Sequence, residues 1–339
     1  MTRLVEIQAG ACRVLAAAVA LVFLAATSPL PVKANPDTWK RQGWAKTNFD
    51  KANVAFSEIL SGGPPKDGIP SIDKPVFAPV PKVNNIADTE PVIGLGIGGD
   101  ARAYPLQVLM WHEIVNDTVG GKPVTVTYCP LCNAAIVFDR VVDGRTLDFG
   151  TTGKLRKSDL VMYDRQTESW WQQFTGDAII GDMLGKTLAI LPSRLESFAA
   201  FKARHPNGKV LVPNNPEMRG YGRNPYFKYD SQKVPFLYSG PFPENIPAMA
   251  RVVVVRGGKG PSAVSLAHLR ETKTFKLDGV KLAWTPGQTS ALDQAEIAKG
   301  RDVGTVTATN ADGKPAAYDV TFAFVFHAFH PDRTILTGG

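Results

Sequence analysis

The residues best suited to chemistry are two cysteines in a Cys-Pro-Leu-Cys segment, Cys129 and Cys132. The only other cysteine, Cys12, precedes the N-terminal apolar run. Two thiolates spaced Cys-x-x-Cys on a tight turn can bind one metal ion, and an imidazole can complete the site. Soft thiolates with a histidine favour copper or zinc.

A predicted hairpin supplies the histidine. Gly120 and Gly121 accept the positive φ angles of a tight two-residue turn. Closing the hairpin there pairs His112 with Cys129, with Cβ atoms about 5 Å apart. The pairing depends on register, because a slip of one residue turns the side chain to the opposite face. Cys129, Cys132 and His112 are therefore the predicted metal ligands.

Two other roles for the cysteines stay open. A neighbouring histidine would lower the pKa of Cys129 and favour thiol–disulfide exchange. A thioredoxin-like protein would have a helix after this motif, but residues 133–139 (NAAIVFD) are predicted to form a strand. The pair could instead form an inert disulfide in an oxidising compartment, although so small a loop gains little stability from cross-linking.

A second candidate pocket lies in residues 164–171 (DRQTESWW), where Asp164, Glu168, Trp170 and Trp171 combine acids with aromatic rings. Adjacent tryptophans can stack on a sugar, although such residues more often belong to a core. With residues 221–229 they suggest an alternative function, a module binding cell-envelope glycans or another envelope partner. A nucleotide site is excluded, because residues 150–154 (GTTGK) lack the spacing of a phosphate-binding loop.

The N-terminus predicts export. Arg3 and Arg13 precede an apolar run over residues 14–26, which is shorter than the roughly twenty residues that span a bilayer. Cleavage after Ala34 is expected, which leaves a periplasmic or secreted chain with no transmembrane segment. Of 38 basic and 31 acidic residues the leader removes three and one, so the mature charge is +5. No basic run is present, and nucleic-acid binding is not expected.

The elements that carry these residues recur along the chain. Residues 99–109 resemble 259–269, residues 124–130 resemble 280–286, and residues 201–211 resemble 326–336, in the same order. This order predicts a diverged tandem duplication. The second copy has Thr285 and Gln288 in place of the cysteines, and it lacks the stretch 158–191.

The predicted fold is mainly β or α+β, with few short helices. Strands are expected at 92–97, 112–118, 124–129, 135–140 and 146–149, and helices near 49–60, 105–110, 195–204, 265–271 and 293–299. The predicted organisation is a leader (1–34), an N-terminal extended and helical segment (35–75), a first copy (76–215), a proline- and aromatic-rich connection (216–246) and a second copy (247–339).

Several motifs resemble the DUF3179 family, a domain of unknown function. They are residues 103–105 (AYP), 112–117 (HEIVND), 128–133 (YCPLCN), 162–169 (MYDRQTES) and 329–331 (FHP). The resemblance covers residues 80–339. It implies an exported prokaryotic protein and supplies no activity, so neither an enzyme nor a non-enzymatic role is chosen. The leading hypothesis is a periplasmic protein that binds copper or zinc, or acts in thiol redox, at Cys129, Cys132 and His112.

Overall fold

The computed structural model describes residues 35–257 and 260–338. The predicted leader, residues 1–34, lies outside the described residues. The helices are short, of six or seven residues each: α1 Pro36–Arg41, α2 Leu106–His112, α3 Phe198–Arg204, α4 Leu266–Thr272 and α5 Ala323–Phe329. None of the described helices is long and apolar enough to cross a membrane.

Strands make up most of the regular structure. Up to the connection they are β1 Ile59–Ser61, β2 Val76–Pro79, β3 Pro91–Ile97, β4 Asp100–Pro105, β5 Ile114–Val119, β6 Lys122–Cys129, β7 Ala134–Asp139, β8 Val141–Val142, β9 Arg145–Thr146, β10 Phe149–Arg156, β11 Asp159–Asp164, β12 Trp170–Gln172, β13 Ala178–Ile180, β14 Ile190–Leu191, β15 Arg194–Ser197 and β16 Lys209–Val212. After it come β17 Arg251–Gly257, β18 Gly260–Ser265, β19 Thr274–Leu277, β20 Val280–Thr285, β21 Thr305–Thr309, β22 Tyr318–Phe322 and β23 Ile335–Leu336.

The two halves repeat one arrangement of sheets. The first half contains the order β15-β3-β4-β16, and the second contains β22-β17-β18-β23. The outer pair is parallel in both, β16 on β4 and β23 on β18. A second sheet holds β5-β6-β7 in the first half and β19-β20-β21 in the second. The mainly β fold with few helices, built as a diverged duplication, is therefore confirmed.

The strand sequences explain their burial. Residues 252–255 of β17 are four consecutive valines, and all are buried. Such β-branched runs suit a strand that is covered on both faces. The two copies, the connection and the N-terminal segment form one compact unit.

An inserted sheet distinguishes the first copy. Strands β10 to β13 lie between β7 and β15 and form a five-stranded sheet with β1 of the N-terminal segment. Trp39, Trp44 and Phe49 of that segment pack on Trp170 of the insertion. In the second copy only residues 310–317 separate β21 from β22. The insertion and the N-terminal segment thus support each other.

Several predicted boundaries are wrong. Instead of a helix over 49–60, the chain has a three-residue 3₁₀ turn at Phe56–Glu58, and instead of one over 293–299 a similar turn at Ile297–Lys299. The segment 195–204 is divided between β15 and α3. Most important for the site, helix α2 continues to His112, so β5 begins two residues later than predicted, at Ile114.

Candidate metal centre

The hairpin of β5 and β6 positions the first cysteine. It has the predicted register, with Ile114 opposite Thr127. Gly120 and Gly121 form its turn, with φ of 54° and 81°. Strand β6 ends at Cys129, which pairs with Ala134 of β7. The intervening loop brings Cys132 back, and its amide donates to the carbonyl of Cys129 at 3.2 Å.

Asp159 is the third group at this position. One ligand atom from each of Cys129, Cys132 and Asp159 lies within 4.8 Å of the others. All three side chains are buried, and both cysteines are free thiols. Asp159 comes from the start of β11, directly after a turn in which Lys157 and Ser158 have φ of 55° and 66°. The turn also places the Ser158 carbonyl 3.5 Å from Cys132 Sγ.

Only one oxygen of the Asp159 carboxyl is satisfied. Its Oδ2 accepts from Gln172 Nε2 at 2.6 Å and from the Phe174 amide at 2.8 Å. Its Oδ1 is buried and has no partner of normal hydrogen-bond geometry within the part of the chain that the structure describes, and the thiols of Cys132 and Cys129 are the polar groups that interact with the carboxyl. A buried, unpaired carboxylate oxygen costs free energy unless it is protonated or binds a cation.

The electrostatics favour a cation at the same place. Burial raises the pKa of Asp159 to about 6 and that of nearby Glu113 to about 8, and Asp159 adds to the effect on Glu113. Burial also raises the pKa of Cys129, and that of Cys132 more strongly. The pKa values rise because burial removes the hydration of the charged forms. A bound cation would stabilise the charged carboxylate and thiolates and would lower these pKa values again.

His112 is not in the group that the sequence assigned to it. As the last residue of α2 it lies outside the strand, and both ring nitrogens are engaged. Nδ1 is 2.7 Å from the Pro70 carbonyl and Nε2 is 2.8 Å from the Tyr221 hydroxyl. Burial lowers the pKa of His112. The imidazole thus links the first copy to the connection through Tyr221. Asp159, and not His112, is the third residue beside the two cysteines.

The second candidate pocket is divided by the fold. Trp170 and Trp171 are fully buried, and Trp171 Nε1 donates to Asp164 Oδ2 at 2.9 Å. Glu168 is half-buried, and its Oε1 lies 2.8 Å from Lys66 Nζ. The tryptophans serve as core residues, and these four side chains do not line a common groove for a sugar.

Residues 66–333 match the family of proteins of unknown function DUF3179. The chain belongs to the DUF3179 family. The matched range begins earlier than the motifs indicated, because it includes the end of the N-terminal segment. No curated protein and no solved structure matches the chain.

In this DUF3179 protein the second copy makes hydrogen bonds to the loop that contains the cysteines. Thr321 Oγ1 donates to the Cys132 carbonyl at 2.7 Å, and Asn133 Nδ2 donates to the Val320 carbonyl at 2.8 Å. From the connection, the Tyr229 hydroxyl donates to the Leu131 carbonyl at 3.1 Å. The loop between the cysteines is therefore fixed by segments more than ninety residues away in sequence.

Sequence reasoning missed Asp159 and Glu113. Asp159 lies in the stretch recognised as absent from the second copy, and that absence was a usable signal. Glu113 is adjacent to His112, but a strand through both residues would have turned its side chain away from the thiols. The helix end at His112 removes that alternation, since Glu113 has a φ of 57°.

Proposed function

We propose that this DUF3179 protein is exported and binds one divalent metal ion, zinc in preference to copper, through Cys129, Cys132 and Asp159. The observation that carries the proposal is the buried Oδ1 of Asp159, which has no partner of normal hydrogen-bond geometry within the described residues and belongs to the three-ligand group. Two thiolates bring anionic sulfur, and the carboxylate brings anionic oxygen.

The donor set favours zinc. Zinc binds sulfur, imidazole nitrogen and carboxylate oxygen in tetrahedral sites, whereas copper(I) prefers soft sulfur ligands. The replacement of the expected His112 by Asp159 makes the set harder, and so shifts the preference away from copper. Three protein ligands leave a fourth position open, as in zinc sites that bind a water or a substrate.

Thiol exchange fits the geometry less well. Exchange needs an accessible thiolate, but Cys129 is 2 % exposed and Cys132 is 0 % exposed. The raised pKa values keep both groups as thiols at neutral pH. Glycan binding loses its main support because Trp170 and Trp171 are core residues.

The test is metal analysis of the chain, expressed with its leader and purified from the exported fraction. We expect close to one zinc per chain, and an N-terminus that begins after Ala34. Loss of one group that hydrogen-bonds to a metal ligand costs about 10- to 100-fold in metal affinity. Cys129→Ser and Asp159→Asn remove a ligand itself, so each should lower zinc affinity by at least about a hundredfold in a chelator competition.

Asp182→Asn is the matched control. Asp182 is an acid of the same insertion, but it is exposed and paired with Lys51 at 2.9 Å. Its replacement should leave zinc affinity unchanged. A protein that arrives without metal and takes up neither zinc nor copper would overturn metal binding, and a chain retained in the cytoplasm would overturn export.

A further inference from the structure

A small cavity adjoins the candidate metal centre. It has a volume of about 280 Å³, which is roughly the space of nine liquid water molecules. Its walls include Leu131, which lies between the two cysteines, and Leu160, which follows Asp159. Leu155, Ile69 and Phe236 complete a largely apolar lining. The cavity therefore reaches the residues next to Cys132 and Asp159, and comes within two residues of Cys129.

Two polar side chains in this lining lack partners. Glu113 is 7 % exposed, and its carboxyl makes no hydrogen bond with the described parts of the chain. The Tyr226 hydroxyl likewise has no partner among those residues. The two groups influence each other, since Glu113 raises the pKa of Tyr226 further after burial has raised it. Neither the Glu113 oxygens nor the Tyr226 hydroxyl is among the fully buried unpaired atoms of the described residues, so both groups reach the cavity and are available to hydrogen-bond a ligand there.

Two other polar side chains of the lining, Lys154 and Tyr229, already have partners, and a third, Gln232, is exposed. The Lys154 ammonium group donates to Gln42 Oε1 at 3.3 Å, and Gln42 does not line the cavity. The Tyr229 hydroxyl donates to the Leu131 carbonyl. Among the buried and half-buried side chains of the lining, Glu113 and Tyr226 are thus the ones with no hydrogen-bond partner in the described parts of the chain.

We propose that this cavity binds a small, uncharged, mainly apolar alcohol or phenol, with its hydroxyl held by Glu113 and Tyr226 beside the open position of the metal. This proposal rests on the proposed metal site. A hydroxyl group donates one hydrogen bond and accepts others, so it can satisfy the carboxyl and the tyrosine together. A charged ligand would lose its hydration against the apolar walls, and burial already lowers the pKa of Lys154, the one ammonium group of the lining, so its charged form is disfavoured there.

Cobalt substitution tests the proposal with phenol as the probe. Cobalt(II) bound to thiolates absorbs visible light, and its bands respond to changes at the open position. We expect the full chain loaded with cobalt to show these bands, and phenol to shift them to saturation. Toluene has the same ring without the hydroxyl, and it should bind at least about fivefold more weakly, because a net hydrogen bond of about 1 kcal/mol is lost.

Tyr226→Phe removes only the hydroxyl and should weaken phenol binding by about five- to tenfold. Tyr221→Phe is the matched control: it removes a hydroxyl from the same connection, but that group bonds His112 outside the cavity. It should leave phenol affinity unchanged.

The outcomes separate the two proposals. Cobalt bands that phenol does not change would overturn the ligand site and leave the metal site standing. Toluene binding as tightly as phenol, or no effect of Tyr226→Phe, would also overturn it. A chain that develops no cobalt bands would overturn the proposed function and this proposal with it.

Discussion

The hairpin that ends at Cys129 and its counterpart in the second copy share one backbone design. In each, a seven-residue helix stops at a residue with positive φ, Glu113 at 57° and Lys273 at 62°. The carbonyl of that residue accepts from the amide of an aromatic residue near the strand end, Tyr128 or Trp284, at 2.8 Å. The unusual backbone at Glu113 is therefore a property of the repeated scaffold, and only the side chain differs.

The side chains show what was added to one copy. Lys273 is exposed, and its ammonium group lies over the Trp284 ring, whereas Glu113 is buried. Gln288, in the position of Cys132, accepts from Thr305 Oγ1 at 2.9 Å within its own copy. Cys132 instead meets Asp159 of the insertion. The cysteines and the insertion therefore form one unit, and the second copy supports their loop through β22.

The largest expected effect concerns the insertion, which must hold Asp159 against the thiols. Trp170 is fully buried, and its ring centroid lies 5.0 Å from those of both Trp39 and Trp44. Removing a large aromatic ring from a core costs about 3–5 kcal/mol. Trp170→Ala should lower the free energy of unfolding by that amount in chemical denaturation and should weaken zinc binding.

Phe227→Ala is the control, because Phe227 is an aromatic residue that is 48 % exposed. It should change the free energy of unfolding by no more than about 0.5 kcal/mol. If Trp170→Ala lost less than about 1 kcal/mol, the insertion would not be anchored through this ring, and the link between insertion and metal centre would fail.

The next prediction compares the residues that follow helices α2 and α4, Glu113 and Lys273, by the pH dependence of the free energy of unfolding. Burial raises the pKa of Glu113 from 4.5 to about 8, so the folded chain keeps a proton that the unfolded chain has released. Stability from this group is complete below pH 4.5 and is lost as the pH rises to about 8. Metal-free protein should therefore lose about 4 kcal/mol between these values, relative to Glu113→Gln, which cannot ionise.

Lys273→Gln makes the corresponding change in the second copy. Its exposed side chain contributes little, so the free energy of unfolding should shift by less than about 1 kcal/mol at every pH in the window. Denaturation curves of the wild type and both variants at pH 5 and pH 8.5 check this. Equal pH slopes for the wild type and Glu113→Gln would contradict a buried, unpaired Glu113.

Local signals in the sequence predicted much of this arrangement. The paired glycines at 120–121 determined the hairpin register, and the repeated order of short motifs revealed the duplication. Alternation and β-branched residues located β3, β6 and β7 within one or two residues. These features depend on neighbours in sequence, which is why a single sequence carries them.

The composition of the site depended on contacts that no local pattern encodes. The predicted strand begins at residue 112, whereas β5 begins two residues later, at Ile114. This small shift removes the His112 imidazole from the thiols, and the carboxyl of Asp159 lies beside them instead. Asp159 reaches Cys129 from a separate sheet. The burial of Trp170 follows from packing against the N-terminal segment, which is distant in sequence.

The smallest effect tests how the second copy supports the cysteine loop. Asn133 follows Cys132, has a φ of 51°, and donates through Nδ2 to the Val320 carbonyl. Asn133→Gly removes this hydrogen bond while accepting the backbone angle, and should cost about 1 kcal/mol of unfolding free energy. Asn133→Ala loses the bond and adds backbone strain, so it should cost about 2 kcal/mol.

Thr289 occupies the corresponding place after Gln288, and its hydroxyl donates to the Thr89 carbonyl at 3.1 Å. Thr289→Ala should cost about 1 kcal/mol and leave zinc affinity unchanged, because its loop holds no ligand. Asn133→Ala should cost a similar or larger amount and also weaken zinc binding, since it releases the loop that positions Cys132. Equal zinc affinity in all three variants would mean that the insertion alone orders the thiols, and that β22 supports the fold without supporting the site.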